Sequence, residues 1–305
     1  MTEPQVSRQS VTLTIPPEYD GRPLEEFLRR QLNYSRRMLT RLKEAPENAL
    51  RNGVHINLPE IVHAGDIIQL TVAEISYTAP GKAGSVPIVY EDDDILVYNK
   101  PQNMPIHPSR NHQSDTLANV FTADMLARGT VLPFRVLNRL DRDTCGLCLC
   151  AKNAAAAHIL SMQQQNGTLY KEYTAILCGR LPCESGSIEA PIARADEFYI
   201  DRVVRADGQY AKTAFRVVAK SNAYTAVCVN LYTGRTHQIR VHFAAIGYPL
   251  AGDTLYGAED APGGHRLCCS KLSFDHPVTG EKLAFSARFP AYWRELPPLA
   301  DISCL

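Results

Sequence analysis

At 305 residues, 45% hydrophobic and 21% charged, the chain has the composition of an ordinary globular protein, long enough for about two domains. Its formal net charge is +0, so the totals alone give no reason to expect a nucleic acid partner. No run approaches the roughly 18 consecutive apolar residues of a membrane span, and "MTEPQVSRQS" lacks an apolar signal core, which argues against secretion and predicts a cytoplasmic protein.

Residues 11–75 read as a small unit. "VTLTI" alternates as a strand does. "GRPLEEFLRRQL" predicts a helix with Pro23 in its first turn, a place that favours proline. "SRRMLTRLKEA" predicts a second helix with Ser35 as N-cap. The Asn-Gly of "RNGVHIN" signals a tight turn into a strand, and "AGDIIQLTV" closes the unit with another. Between Phe27 and Lys43 lie six basic residues, Arg29, Arg30, Arg36, Arg37, Arg41 and Lys43, and no acid. Such a local patch can hold phosphate although the whole chain is neutral.

"SYTAPGKAGS" is rich in small residues, Gly and Pro, and reads as a linker within 76–86. A larger body, 87–300, opens with strand, acidic turn and strand in "VPIVYEDDDILVYNKP". Further strands are predicted at 146–151, 171–177, 213–219 and 225–232. A helix is predicted over 153–165, with Asn153 as cap and Gly167 past its end. A second, over 237–246, takes Thr236 as cap and stops at Gly247. Many strands with few helices between them predict an α+β protein with a mixed, largely antiparallel sheet.

Three stretches could carry chemistry. In "NRLDRDT", charges stand hard against the apolar run that begins at Cys145, where charge is costly unless paired or used. Read by itself, the stretch is as well explained by a polar turn with solvated ion pairs. "TGRTHQIRVHF" packs Arg235, His237, Arg240 and His242 into eight residues at a helix start. Cations there oppose the helix dipole, which implies a nearby anion, a phosphate or a carboxylate. His237 and His242 are five apart with no carboxylate between, which argues against zinc. In "GTLYKEYTAILCG", Tyr170 and Tyr173 flank a Lys-Glu pair at a strand start. Five of the nine cysteines, Cys145, Cys148, Cys150, Cys178 and Cys228, sit in strand-like runs, a pattern of buried reduced thiols rather than of a disulfide framework or a metal cluster.

Taken together, "IVYEDDDILVYNKPQNMPIHPS", "RLDRDTCGLCLCAK", "YKEYTAI", "TGRTHQIRVHFAAIGYPLAGDTLYG" and "LSFDHPVTGEKLAF" resemble, in order, the motifs of the RluA-type pseudouridine synthases over about residues 87–290. The N-terminal unit resembles the αL RNA-binding domain of one small-subunit ribosomal protein. The resemblance implies an RNA-uridine isomerase, acting on large-subunit ribosomal RNA, that needs no cofactor or metal and works as a monomer. It implies Asp141 as the catalytic aspartate, Arg240 as its partner, Tyr173 as the ring that stacks on the target base, and Arg139 as the residue that helps extrude it. Asn138 stands where many members have His, Cys145 where Ser is common, and "RLCCSKL" where a Leu-His-Ala pattern is usual. Within the class, a tRNA or dual-substrate synthase is the alternative. Outside it stand a non-catalytic assembly factor and an aspartate glycosidase with Asp143 as acid.

Overall fold

The computed structural model describes residues 5–32, 34, 36–76, 78–81, 84–196, 201–287, 289–290 and 292–293, with the side chains of 5–9, 36–38 and 72–76 left out. The chain divides into two compact units. One comprises residues up to 79 together with 124–133, and the other comprises 80–123 and the chain from 134 on.

The first unit is built on strands β1 (Gln5–Thr14), β2 (Ala49–Arg51), β3 (Val54–His55) and β4 (Ile67–Ser76), paired in the order β1-β4-β2-β3, all antiparallel. Both long strands outrun the sequence prediction, because their register runs unbroken from Thr14↔Ile67 to Gln5↔Ser76, which takes β4 into the predicted linker. Asn52 and Gly53 both have positive φ, 51° and 82°, as the tight turn between β2 and β3 requires. Helix α1 spans Leu24–Arg30 and α2 spans Arg36–Leu42. Pro23 sits at the N-cap of α1 rather than in its first turn, because Arg22 and Pro23 pair as a short strand with Ile61–Val62. Ser35 lies outside the described residues. Leu24, Phe27, Leu28, Leu39 and Leu42 of the helices pack on Ile15, Ile68 and Leu70 of the sheet side to form this unit's core.

In the second unit, strands β5 (Ile88–Glu91), β6 (Ile95–Lys100), β7 (Cys145–Ala151), β8 (Tyr170–Cys178), β9 (Ser185–Glu189), β10 (Lys212–Lys220), β11 (Tyr224–Leu231) and β12 (Leu267–Asp275) form one sheet in the order β9-β10-β11-β8-β12-β7-β6-β5. A ninth strand, β13 (Lys282–Ser286), pairs with β12. Only the β7–β12 pair is parallel among these, so the sheet is mixed and largely antiparallel, as expected. Every residue of β7 is buried, which is why it reads as a continuous apolar run. Gly146 marks its parallel contact. Its φ is 102°, and a Cβ there would collide with the Cys269 carbonyl oxygen.

Three helices lie between these strands. The helix α3 (Leu117–Ala127) was not expected; Thr116 and Asn119 bond to each other at its start. Helix α4 (Ala154–Asn166) begins where the Asn153 side chain accepts from Ala156 N and ends at Gly167, left-handed at φ 76°, as predicted. Helix α5 (Gln238–Ala245) is capped by His237 in the left-handed region at φ 56°, not by Thr236. The buried Gln238 amide explains this. Its oxygen accepts from Thr233 Oγ1 and Arg235 N, and its nitrogen donates to Lys212 O and Thr213 Oγ1, so the loop is tied down by a side chain inside the helix. No described helix is long and apolar enough to cross a membrane.

Candidate active site

A cleft opens in the second unit. Arg139, Asp141, Tyr173 and Arg240, the four residues singled out in separate motifs, all line it, together with Thr144, Leu231, Arg235 and His237.

Asp141 is placed by a turn whose carbonyls are all engaged. Its own carbonyl accepts from Thr144 N at 3.1 Å. The Arg142 carbonyl accepts from Met104 N at 3.0 Å and from the buried Lys100 ammonium at 3.0 Å, and the Asp143 carbonyl from Gln102 Nε2 at 2.9 Å. Lys100 Nζ also donates to Pro101 O and Met104 O, so its three protons are matched by three acceptors although burial lowers its pKa to about 8. On the other side, Asn138 behaves as a surrogate strand residue. It donates to Leu147 O at 2.9 Å and accepts from Leu149 N at 2.8 Å, fastening the Arg139–Asp141 segment to β7. Its amide supplies both a donor and an acceptor for that ladder.

Arg240 does not spend its fork on Asp141. Nε and Nη2 each donate at 2.7 Å to the two oxygens of Asp253, whose side chain is 1% exposed. Nη1 alone reaches Asp141 Oδ2, at 3.3 Å, and Asp141 remains 30% exposed to the cleft. The Arg240 guanidinium also lies 5.0 Å from the centre of the Tyr256 ring. Burial works to lower the Arg240 pKa, and the hydrogen bonds and charges of Asp253, then the charge of Asp141, outweigh it and leave it raised. The anions implied at the start of α5 are therefore these two carboxylates. Asp253 was missed because nothing in "AGDTLYG" distinguishes it from a turn aspartate.

His237 bonds through Nδ1 to Tyr256 Oη at 2.8 Å and brings Nε2 to 3.9 Å from Asp141. Burial, then the nearby Arg240 and Arg202, lowers its pKa despite Asp141. Tyr173 is almost wholly buried, and burial raises its phenol well above the ordinary value, so it presents a neutral ring. A bulge aims it. Glu172 faces Lys271 but Tyr173 faces Cys269, which leaves Ser270 unmatched on β12. Arg139 is exposed and has no ion pair among the described residues. Asp143 pairs with Arg142 at 2.8 and 2.9 Å and does not line the cleft, which removes the second carboxylate that a glycosidase would need. Asp92, Asp94 and His276 come together at the β5–β6 turn, where Ile95 N, Asn153 Nδ2 and the His276–Asp92 contact occupy their oxygens.

The thiols of the site's strands are not reactive groups. Burial pushes Cys269 up to about 12, and Cys150 is likewise raised.

Arg29 pairs with Glu25 at 2.9 Å and Arg30 with Glu26 at 3.5 Å, each one turn back along α1, so these two cations face carboxylates that lie just outside the window read from sequence. Lys43 is exposed and Arg41 half-buried, while the side chains of Arg36 and Arg37 lie outside the described residues.

The buried His265 under the Asp141 turn gives a pH test. Its Nε2 meets Thr144 Oγ1 at 2.9 Å, and burial, reinforced by Arg240, His237, Lys100 and Arg142, holds its pKa well below 6.5. Between that depressed value and about 6.5 the unfolded chain binds the proton and the folded chain does not. Stability is therefore present above about pH 6.5 and lost as pH falls below it. Urea midpoints should drop between pH 7.5 and pH 5, and His265→Gln should flatten that dependence. An equally steep dependence in the variant would assign it elsewhere.

A family model described as RNA pseudouridylate synthase matches residues 94–245. Among curated relatives, the uncharacterized RNA pseudouridine synthase YjbO of Bacillus subtilis is 38% identical over 263 residues, covering 85% of this chain and 93% of that one. Ribosomal large subunit pseudouridine synthase D of Haemophilus ducreyi is 33% identical, with 94% of each chain covered. Among solved structures, human RNA pseudouridylate synthase domain containing 1 superposes with a TM-score of 0.58 at 26% identity, over 72% of this chain and 88% of that chain.

Proposed function

The chain belongs to the RNA pseudouridylate synthase family, and on that premise we propose that it isomerises uridine in large-subunit ribosomal RNA with Asp141 as the catalytic carboxylate. As an RNA pseudouridine synthase it is an isomerase. The uracil is detached at N1 and rejoined to the ribose through C5, so no atom enters or leaves. The observation that carries the assignment to Asp141 is its carboxylate, open to the cleft and held by a single guanidinium contact at 3.3 Å. A carboxylate so placed can attack the sugar or the base. Tyr173 offers its neutral ring as a stacking face for a uridine that has left its helix, and unstacking costs a few kcal/mol that such contacts repay. Arg139, exposed at the cleft and without an ion pair among the described residues, is the residue to take the vacated place in the RNA.

The ribosomal substrate is supported by relatives named for the large ribosomal subunit. Mapping pseudouridine in ribosomal and transfer RNA from cells with and without the protein tests it. Loss confined to transfer RNA would overturn the substrate, and release of free uracil would overturn the isomerase reading.

The first unit serves, in this proposal, as an RNA-binding module. With Arg29 and Arg30 paired internally, Arg36, Arg37, Arg41 and Lys43 are the cations left, and the first three share one helix. Each phosphate neutralised contributes about 0.7–0.9 to the salt slope. Arg36→Ala/Arg37→Ala/Arg41→Ala should weaken RNA binding and flatten its dependence on log salt by up to roughly 2–3. An unchanged affinity and slope would show that RNA does not bind through this helix.

A further inference from the structure

His237 stands beside Asp141 with a side chain that the fold does not call for. Its backbone lies in the left-handed region at φ 56°, where glycine carries no steric penalty. The bonds of Gln238 account for that backbone, and glycine would meet the same need without strain. The His237 side chain makes no capping bond to α5. It lines the cleft instead, 12% exposed, with Nε2 at 3.9 Å from Asp141 Oδ2. Strained backbone of this kind gathers at functional sites.

Tyr256 decides which nitrogen of the ring carries the proton. Its Oη accepts from Arg202 N at 3.0 Å and lies 2.8 Å from His237 Nδ1. Burial raises the Tyr256 pKa, so the phenol keeps its proton, and His237 Nδ1 is its one hydrogen-bond acceptor among the described residues. The hydroxyl therefore donates to Nδ1, and the neutral imidazole carries its own proton on Nε2. The lowered pKa of His237 keeps the ring in that neutral form at neutral pH. Nε2 makes no hydrogen bond among the described residues, and Asp141 at 3.9 Å is too far to accept one. The result is a fixed and unused N–H donor in the cleft, next to the carboxylate assigned to the chemistry.

We propose that His237 is a catalytic residue whose Nε2–H donates to a carbonyl oxygen of the uracil as the base leaves the ribose. This rests on the reading of the cleft as the uridine site. Whichever way Asp141 acts, the N1–C1′ bond breaks with its electron pair going to the uracil, and the charge spreads from N1 onto O2 and O4. A donor already in place for that charge costs no reorganisation at the moment of reaction. The pair then returns through the ring to the new C5–C1′ bond. C5 gives its proton to solvent and N1 takes one up, so His237 ends with the proton it began with. A neutral imidazole suits this role, as it polarises a carbonyl without a formal charge. An imidazolium would pair with Asp141 instead and blunt the carboxylate.

The test uses the full chain and the variants His237→Asn and His237→Gln. Asn is at ease in the left-handed backbone, takes the Tyr256 bond at the place of Nδ1 and has nothing at the place of Nε2. The longer Gln brings an amide N–H toward the place of Nε2. The substrate is a synthetic RNA spanning a site that pseudouridine mapping assigns to this protein, with uridine, 2-thiouridine or 4-thiouridine at the target. With uridine, His237→Asn should lower kcat on the order of 10²–10³-fold, the cost of losing one such donor, while RNA affinity stays nearly unchanged. His237→Gln should regain part of the rate. Sulfur accepts hydrogen bonds more weakly than oxygen, and the ratio of wild-type to Asn rates cancels its other effects on the reaction. That ratio should shrink roughly tenfold or more for the thio substrate that lacks the contacted oxygen, and hold for the other. A ratio equal across all three substrates would overturn the proposal and leave His237 to act on Asp141 or on the fold alone. An unchanged kcat in His237→Asn would overturn it as well. If wild type forms no pseudouridine in any cellular RNA, the uridine-site reading itself has failed and takes this proposal with it.

Discussion

Asp141→Asn should abolish pseudouridine formation, lowering turnover by on the order of 10³-fold or more, while RNA affinity stays nearly unchanged. The substitution keeps the side chain's shape and removes its charge. The surroundings should stay in place, because Arg240 is anchored by its two 2.7 Å bonds to Asp253 and the turn carbonyls are bonded independently of the Asp141 side chain. Nucleoside digests analysed by mass spectrometry, with filter binding on the same preparation, separate the two effects. Turnover close to wild type would take Asp141 out of the chemistry.

Arg240→Ala should be costly twice over. It leaves Asp253 as a carboxylate 1% exposed with no cation, and breaking a buried pair in this way costs about 3–5 kcal/mol. It also takes away the guanidinium that holds the Asp141 carboxylate at 3.3 Å, so turnover should fall even where the protein stays folded. The double variant Arg240→Ala/Asp253→Asn isolates the two. Removing the stranded charge should recover much of the stability, seen as a rise in urea midpoint, without recovering the rate. Recovery of both would mean that Arg240 matters only for folding.

What could be read in advance follows from how local its cause is. β7 announces itself because burial on both faces demands an unbroken apolar run, and α4 because Asn153 and Gly167 cap it from within a few residues. The four cleft residues could be named from their motifs, and the structure brings them to one place. The division of the Arg240 fork could not be read, since it depends on a loop thirteen residues away folding back over the helix. Nor could the His237 cap, which exists because Gln238 is consumed by the loop before it. The internal pairing of Arg29 and Arg30 was legible in principle at i,i+4 spacing, and was hidden by a window that began at Phe27, one residue past Glu26.

All nine cysteines lie in the second unit, since residues up to 79 and 124–133 contain none. Of the eight described, Cys145, Cys148, Cys150, Cys228, Cys268 and Cys269 are buried, and Cys183 is exposed. Three of the buried ones, Cys145, Cys268 and Cys269, form the parallel contact between β7 and β12 on which the Asp141 turn is mounted. The catalytic sheet thus carries its own chemical clock. A thiol reagent marks Cys183 at once and reaches the strand cysteines only when the sheet opens, at a rate set by that local opening. The first unit is silent to the same reagent, so its fluctuations leave no trace in the label.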